Sequence, residues 1–199
     1  MGRRKIIQDE ELLATAKDVF VEKGIGASTR EIARRAGISE AVIYQRYPTK
    51  ADLFFAAMVP PPLSVEQLLG GGTGDADVLS HLESIALGML DYHRELVPIL
   101  LPLMSHPSFD FEQFAQRHPE SPLARLRLGL VEYLEAQQKL GRVAPGNTGM
   151  AVLVLVAAIH SLALFEKLGV HGGKFEEGVV RSMVRSLWWG LAPQGERDS

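Results

Sequence analysis

The sequence predicts an all-α protein with an N-terminal three-helix domain containing a helix-turn-helix, residues 1–59, and a C-terminal helical domain, residues 60–199. Three observations carry that prediction. Apolar residues recur at three- and four-residue spacing along nearly the whole chain, and no run alternates with period two at convincing length. Glycine, proline and Ser/Thr/Asn positions punctuate the pattern at helix-length intervals. Hydrophobic residues make up 46% and charged residues 23% of the chain, enough for a packed core and too apolar for disorder by composition.

The first helix is expected over Asp9 to Lys23, where Leu12, Leu13, Ala16, Val19 and Phe20 share a face and Gly24 stops the pattern. Ser28-Thr29-Arg30-Glu31 has the spacing of a capping box, and opens a second helix that ends at Ala36-Gly37. Ser39 is placed to cap a third, ending near Tyr47-Pro48, and Thr49 a fourth, Lys50 to about Met58. Pro60-Pro61-Pro62 ends that helix, because proline lacks the N–H and clashes with the preceding turn. Leu63–Leu69 has room for a turn or two of helix before Gly70-Gly71-Gly72-Thr73-Gly74, which reads as a flexible stretch at the domain boundary.

Beyond it, helices are expected over Asp77 to Glu95, Pro98 to Ser105 and Phe109 to Arg117. Ser121-Pro122 is a start signal for Leu123 to Leu140. Asn147 caps an almost wholly apolar helix ending at Leu168-Gly169, and Lys174 to Leu191 is the last helix, with Phe175, Val179, Met183 and Leu187 every four residues. There is no internal repeat.

Several function classes drop out. The chain has no cysteine, so disulfides, thiolate metal sites and cysteine nucleophiles are excluded. The six histidines show no metal-site pairing with carboxylates, and no metal or cofactor is expected. There is no phosphate-binding glycine loop after a strand and no nucleophile motif, so no enzyme is expected. The N-terminus has no apolar signal stretch. Met150 to Phe165 is shorter than the ~20 residues a bilayer needs and holds His160 and Ser161, so it reads as a core or interface helix, with no membrane and a cytoplasmic location. The net charge is −3, yet residues 1–58 carry ten basic against eight acidic side chains, a mildly basic segment on an acidic body.

Two helices joined by a short glycine-containing turn make a helix-turn-helix: Ser28–Ala36, Gly37, Ser39–Tyr47. Ile32, Ile38, Ile43 and Tyr47 fall inward, toward Leu13 and Phe20. Glu40, Ala41, Val42, Tyr44, Gln45 and Arg46 are left facing out, a face that suits a major groove, with small residues at 41 and 42 allowing close approach. Lys50, at a helix start, is placed to meet a phosphate. The alternative reading of the same pattern is a helical dimer with no sequence-specific DNA role, its helix-turn-helix vestigial; salt-dependent duplex binding separates the two.

Residues 9–58, in particular Leu12-Leu13, Phe20-Val21-Glu22-Lys23-Gly24, Ser28 through Ser39 and Ile43-Tyr44-Gln45-Arg46-Tyr47-Pro48-Thr49-Lys50-Ala51-Asp52-Leu53, resemble the DNA-binding domain of TetR-family repressors. The resemblance implies operator DNA as partner. It implies phosphate and occasional base contacts from Thr29 and Arg30, recognition-helix contacts from Ser39 and Gln45, variable base-reading positions at Glu40, Ala41 and Val42, a phosphate-contacting tyrosine at Tyr44, a frequent histidine position at Arg46 and a phosphate-binding lysine at Lys50. Arg3-Arg4-Lys5 matches a basic arm that some members place in the minor groove. The chain departs from the family in a loop one residue shorter at Ile25-Gly26-Ala27, in glutamate at position 40, and in the Pro60–Pro62 break.

For the C-terminal domain the resemblance implies a helical ligand-binding and dimerisation domain, a homodimer built on the last two long helices, and a pocket for a small apolar or amphipathic effector. Val180, Met183, Trp188 and Trp189 exceed what one buried stripe needs, which independently points to the dimer. The expected pocket residues are Met89, His93, Phe114, Tyr133 and His160.

Overall fold

The computed structural model describes residues 7–70, 77–117 and 122–191. Among them the secondary structure is helical throughout: α1 (Asp9–Lys23), α2 (Thr29–Ala36), α3 (Glu40–Arg46), α4 (Lys50–Ala57), α5 (Val65–Leu69), α6 (Val78–Met104), α7 (Phe111–Arg117), α8 (Pro122–Lys139), α9 (Thr148–Leu168) and α10 (Glu177–Leu191). The Arg3-Arg4-Lys5 arm, most of the Gly70–Gly74 stretch and the Ser121 start signal lie outside the described residues. The chain divides into two units: residues 1–61 with 98–111, and residues 62–97 with 112–199. The segment 98–111, which the expected boundary assigns to the second domain, clusters with the first.

In the first unit, α1 packs against α2 and α4 through Leu12, Ala16, Val19 and Phe20, all fully buried. Leu13 is only half-buried, so Leu12 takes the central place expected for it. Ile32 and Ile43 are fully buried, while Ile38 and Tyr47 sit at the margin. Phe20 and Phe54 meet edge to face, centroids 5.0 Å apart, a favoured aromatic geometry.

The helix ends explain the turn. Gly37 closes α2 at φ 70°, ψ 29°, the left-handed conformation that costs glycine least, and its N–H reaches back to the carbonyls of Ala33 and Arg34. Ser28 accepts from the Glu31 N–H at 3.2 Å. Glu31 does not return the bond as a capping box requires: its carboxylate is taken by Arg34 and Arg35 at 2.9 Å. Those two guanidiniums hold the Glu31 carboxyl down at about 2. The full capping box is at α4, where the Thr49 side chain accepts from the Asp52 N–H and Asp52 accepts from the Thr49 N–H. Ser39 holds the extended backbone of an N-cap but makes no side-chain capping bond.

The helices expected over 77–95 and 98–105 are one 27-residue helix, α6, with Pro98 and Pro102 inside it, and its residues from Pro98 onward cluster with the first unit. A proline in a helix interior removes one backbone bond and strains the turn before it, at ~3 kcal/mol or more. Continuity is kept because Leu96, Val97, Ile99 and Leu103, around the prolines, are all buried. Asp77 caps the start, accepting from the N–H groups of Leu79 and Ser80.

α10 is rotated from the expected register. Val180, Val184 and Trp188 form its buried stripe, whereas Val179 is 43% exposed and Met183 and Leu187 are half-buried. Arg181 and Arg185 set that rotation by reaching Glu83 of α6, at 2.9 and 2.8 Å. Burial works against the charged form of Glu83, but the two guanidiniums outweigh it and hold its carboxyl below the usual range. A second tie joins α6 to α9: Arg94 donates to both Glu166 oxygens at 2.8 Å, and Glu166 also accepts from the Phe175 N–H.

Candidate nucleic-acid interface and body cavity

α3 presents the face expected of it. Its N-terminus is set by Ser39, its inner side by buried Ile43, and its end by Tyr47, whose backbone turns extended. Ala41, Tyr44 and Gln45 are exposed and Val42 is half-buried. Arg30, at the start of α2, is exposed.

Thr29, Glu40 and Tyr44 form one hydrogen-bonded cluster across the turn. The Thr29 hydroxyl donates to the Glu40 carboxylate, and lies 3.1 Å from the Tyr44 hydroxyl. Thr29 is only 5% exposed, so its hydroxyl braces α2 against α3. The Thr29 hydroxyl therefore sits between the Glu40 carboxylate and the Tyr44 hydroxyl. Lys50, in the first turn of α4, donates to the Ile25 carbonyl. That carbonyl lies in the short Gly24–Gly26 turn, so the shortened loop itself fixes the lysine.

Arg46 is placed differently from the expectation. Its guanidinium donates to Asp9 at 2.7 Å and to the Ile7 carbonyl at 2.9 Å, tying α3 to the start of α1. In this arrangement it braces the domain, while the residue stays exposed like Tyr44 and Gln45. The acidic first turn of α1, Asp9-Glu10-Glu11, was the signal available for this pairing.

The five expected pocket residues are not gathered round one void. Met89 and His93 are buried, with His93 Nδ1 2.7 Å from the Met89 carbonyl, and the His93 and His160 rings meet edge to face at 5.6 Å. Burial holds the His93 ring below its usual value, and the Met89 carbonyl opposes this in part. Tyr133 packs on His81 instead, and Phe114 of α7 is half-buried.

A cavity of about 310 Å³ does exist in the second unit, and none of the five lines it. Its walls include Leu82 of α6, Leu130 and Leu134 of α8, Gly146 and Asn147 of the following loop, Met150 and Leu155 of α9, and Trp188 of α10. The stripe Leu126, Leu130, Leu134, all buried, was legible as a core face of α8.

α9 is 21 residues long, longer than the apolar run counted in the sequence, and is long and apolar enough to cross a membrane by length and composition alone. Only 28% of its most apolar stretch is buried within the chain. Met150, Leu153, Val154, Phe165 and Leu168 are exposed along it, and Val179 and Trp189 along α10. Val180 and Trp188, counted from the sequence as surplus apolar surface, lie inside the unit.

Residues 12–57 match the family model described as bacterial regulatory proteins, tetR family. Over 142 residues the chain is 28% identical to YvkB, an uncharacterized HTH-type transcriptional regulator of Bacillus subtilis, a match covering 70% of this chain and 72% of that one. Over 49 residues it is 43% identical to FasR, an HTH-type transcriptional activator of Mycolicibacterium smegmatis, covering 24% and 22% of the two chains. A TetR-like transcriptional regulator from Rhodococcus sp. RHA1 shares the fold, with a TM-score of 0.62 over 93% of this chain and 97% of that one, at 23% identity.

Proposed function

We propose that the chain, whose residues 12–57 match the family model of bacterial tetR-family regulatory proteins, is a transcriptional regulator of that kind, a homodimeric, cytoplasmic repressor that leaves its operator when a small apolar or amphipathic molecule binds the second unit. The observation that carries the DNA half is the outward face of α3, where Tyr44, Gln45 and the small Ala41 are exposed, followed by a lysine in the first turn of α4. In this reading Tyr44, Lys50 and Arg30 position the protein on phosphates, and Glu40, Ala41 and Val42 set sequence choice. Thr29 and Ser39 support the face, and Arg46 acts through the brace it makes to α1.

The exposed apolar residues of α9 and α10 support dimerisation, since an apolar strip of this extent on a soluble chain marks a contact surface. A two-fold dimer reads a pseudo-palindrome with half-sites about one helical turn, ~34 Å, or a multiple apart. A dimer seated there excludes other proteins from that stretch of duplex, which is repression in its simplest form. The 310 Å³ apolar cavity supports the effector half.

The test is selection of bound fragments from genomic DNA, followed by titration of the recovered site and a scrambled duplex at several salt concentrations. A pseudo-palindromic site preferred over the scrambled duplex, with a steep salt dependence, is expected. Equal binding to both sequences would reject sequence-specific regulation and leave a helical dimer.

A further inference from the structure

The apolar cavity of the second unit is not sealed. Of the residues that line it, Gly146, Asn147, Met150 and Val154 are exposed, while Leu82, Leu130, Leu155 and Trp188 are buried. Its mouth therefore lies at the N-terminal end of α9, and its floor in the core of the unit. No charged side chain is among the described residues that line it, and an ion placed there would lose its hydration without a partner. At about 310 Å³ it has about twice the volume of an apolar void of ~150 Å³ that holds benzene.

Met150 and Val154 belong also to a longer feature. With Ala157, Ser161, Phe165 and Leu168 they recur along α9 at three- and four-residue spacing, and so form one stripe on its outer side. All six are exposed except Ser161, which is half-buried. The stripe carries no charge, and the acidic side chain of α9, Glu166, is turned to Arg94. α10 repeats the pattern. Val179, Ser182, Ser186 and Trp189 are exposed at the same spacing, and the arginines between them reach inward to Glu83.

What covers such a surface must be uncharged, helical in period and as long as the stripe, and a second copy of this chain has all three properties. A two-fold axis sets each stripe against itself, which an uncharged stripe permits and a charged one opposes. The large apolar residues exposed on α9 and α10 are each 42–59% exposed. At on the order of 100 Å² each they leave on the order of 700 Å² per chain, against the ~800 Å² per partner of a stable interface.

We infer that the second copy is the lid of this cavity, so that the dimer, and not the single chain, is the complete site for an uncharged, largely hydrocarbon ligand. A copy seated along the stripe covers Met150 and Val154, and with them the mouth. The inference rests on the homodimer and effector readings above. It makes ligand binding and dimerisation one linked equilibrium: whatever the lid adds to ligand affinity, the ligand adds to the dimer. Shielding about one further methylene of the ligand from water gives about a fourfold gain at each site. With two sites per dimer, a saturating ligand strengthens the dimer by on the order of tenfold.

The probe is n-butylbenzene, a neutral hydrocarbon. Sedimentation of the full chain with and without saturating n-butylbenzene reads the dimer dissociation constant, and calorimetry reads binding of the probe. Wild type is measured beside Leu168→Arg, whose charge stands at the far end of the stripe, ~20 Å along α9 from Val154, and brings a tight dimer into measurable range. The dimer dissociation constant is expected to fall about tenfold with the probe in both proteins. Ala151→Phe, which fills the cavity from α9, is expected to abolish that shift, with thermal unfolding as the check on its fold. Probe binding with the dimer constant unmoved means a cavity closed within one chain, and overturns this inference while leaving the homodimer intact. So does the absence of probe binding in wild type, or a shift that persists in folded Ala151→Phe, which would seat the hydrocarbon on the stripe itself. A chain that stays monomeric at every concentration rejects the homodimer reading and the lid with it, and its co-sedimentation with phosphatidylglycerol vesicles would make a bilayer the partner of α9.

Discussion

Along α1–α4 of the first unit most large apolar side chains are spent inside: Leu12, Val19, Phe20, Ile32, Ile43, Leu53 and Phe54 are each 2% exposed or less, while Ile25 and Tyr44 are exposed, as are Val59, Met104 and Phe111 elsewhere in the unit. In the second unit, α9 leaves Met150, Leu153, Val154, Phe165 and Leu168 in the open, and α10 leaves Trp189. The second unit also keeps a 310 Å³ void and two unpaired buried polar atoms. In α1–α4 the caps and the turn are set by local sequence, and the core between the helices is closed. On the proposed reading, a second copy and an effector would cover what the second unit leaves open.

The sharpest way to break this contrast is in the first core. Phe20→Ala removes a fully buried ring and its edge-to-face partner, Phe54. Stability is expected to fall by about 3–5 kcal/mol in chemical denaturation, and DNA binding to fall with it. A loss under 1 kcal/mol would show that the first unit is not self-sufficient.

The matching change in the second unit should act only on assembly. Leu153→Arg places a charge on a residue already 52% exposed, so helicity and the unfolding of the isolated chain should change little. The dimer dissociation constant is expected to rise at least about tenfold, or 1.4 kcal/mol, by sedimentation. A dimer unaffected by the change would move the interface off this face of α9.

The units should also differ in pH response. His93 is 1% exposed and its pKa is lowered mainly by burial. The unfolded chain takes up that proton near pH 6.5 and the folded chain does not, so this contribution is intact above that pH. It is lost as pH falls below it, by up to ~1.4 kcal/mol per pH unit. His93→Leu should flatten the stability profile in that window. Glu31 of the first unit, held down to about 2 by Arg34 and Arg35, contributes above the ordinary carboxylate range and loses its contribution only as pH falls toward 2. The acidic limb should therefore respond to Arg34→Ala, and the near-neutral limb to His93→Leu.

Local signals were legible and long-range ones were not. Gly37, Thr49 and Asn147 act within four residues, and each end they mark is where the sequence places it. The continuity of α6 through Pro98 and Pro102 depends on packing around residues 96–103, which no local rule contains. The register of α10 depends on Glu83, roughly a hundred residues away, so a four-residue repeat alone chose the wrong stripe. The candidate site divides the same way. The α3 face follows from helical periodicity, whereas the turning of Arg46 toward Asp9 and the siting of the cavity among Leu82, Leu130 and Trp188 follow from tertiary contacts.

The smallest expected effects test how the first unit divides its DNA face. Lys50 carries a full charge at a helix N-terminus and is steadied by the Ile25 carbonyl, which suits a phosphate and reads no base. Glu40 accepts from the Thr29 hydroxyl, which also contacts Tyr44, so its carboxylate occupies one hydroxyl group a phosphate would seek. Lys50→Ala should weaken operator and scrambled duplex by the same factor and lower the log–log salt slope by about one unit per half-site. Glu40→Gln should raise affinity for scrambled duplex, because it removes a negative charge from the phosphate-facing cluster. It should also change or blur the base preferred opposite it, where discrimination of ~1–3 kcal/mol is typical for a good direct contact. Both follow from paired titrations on operator and scrambled duplex across a range of salt. If Lys50→Ala shifts base preference while Glu40→Gln leaves it untouched, the two residues have been given each other's roles, and the Thr29–Glu40–Tyr44 cluster is a brace for the turn with no part in choosing the sequence.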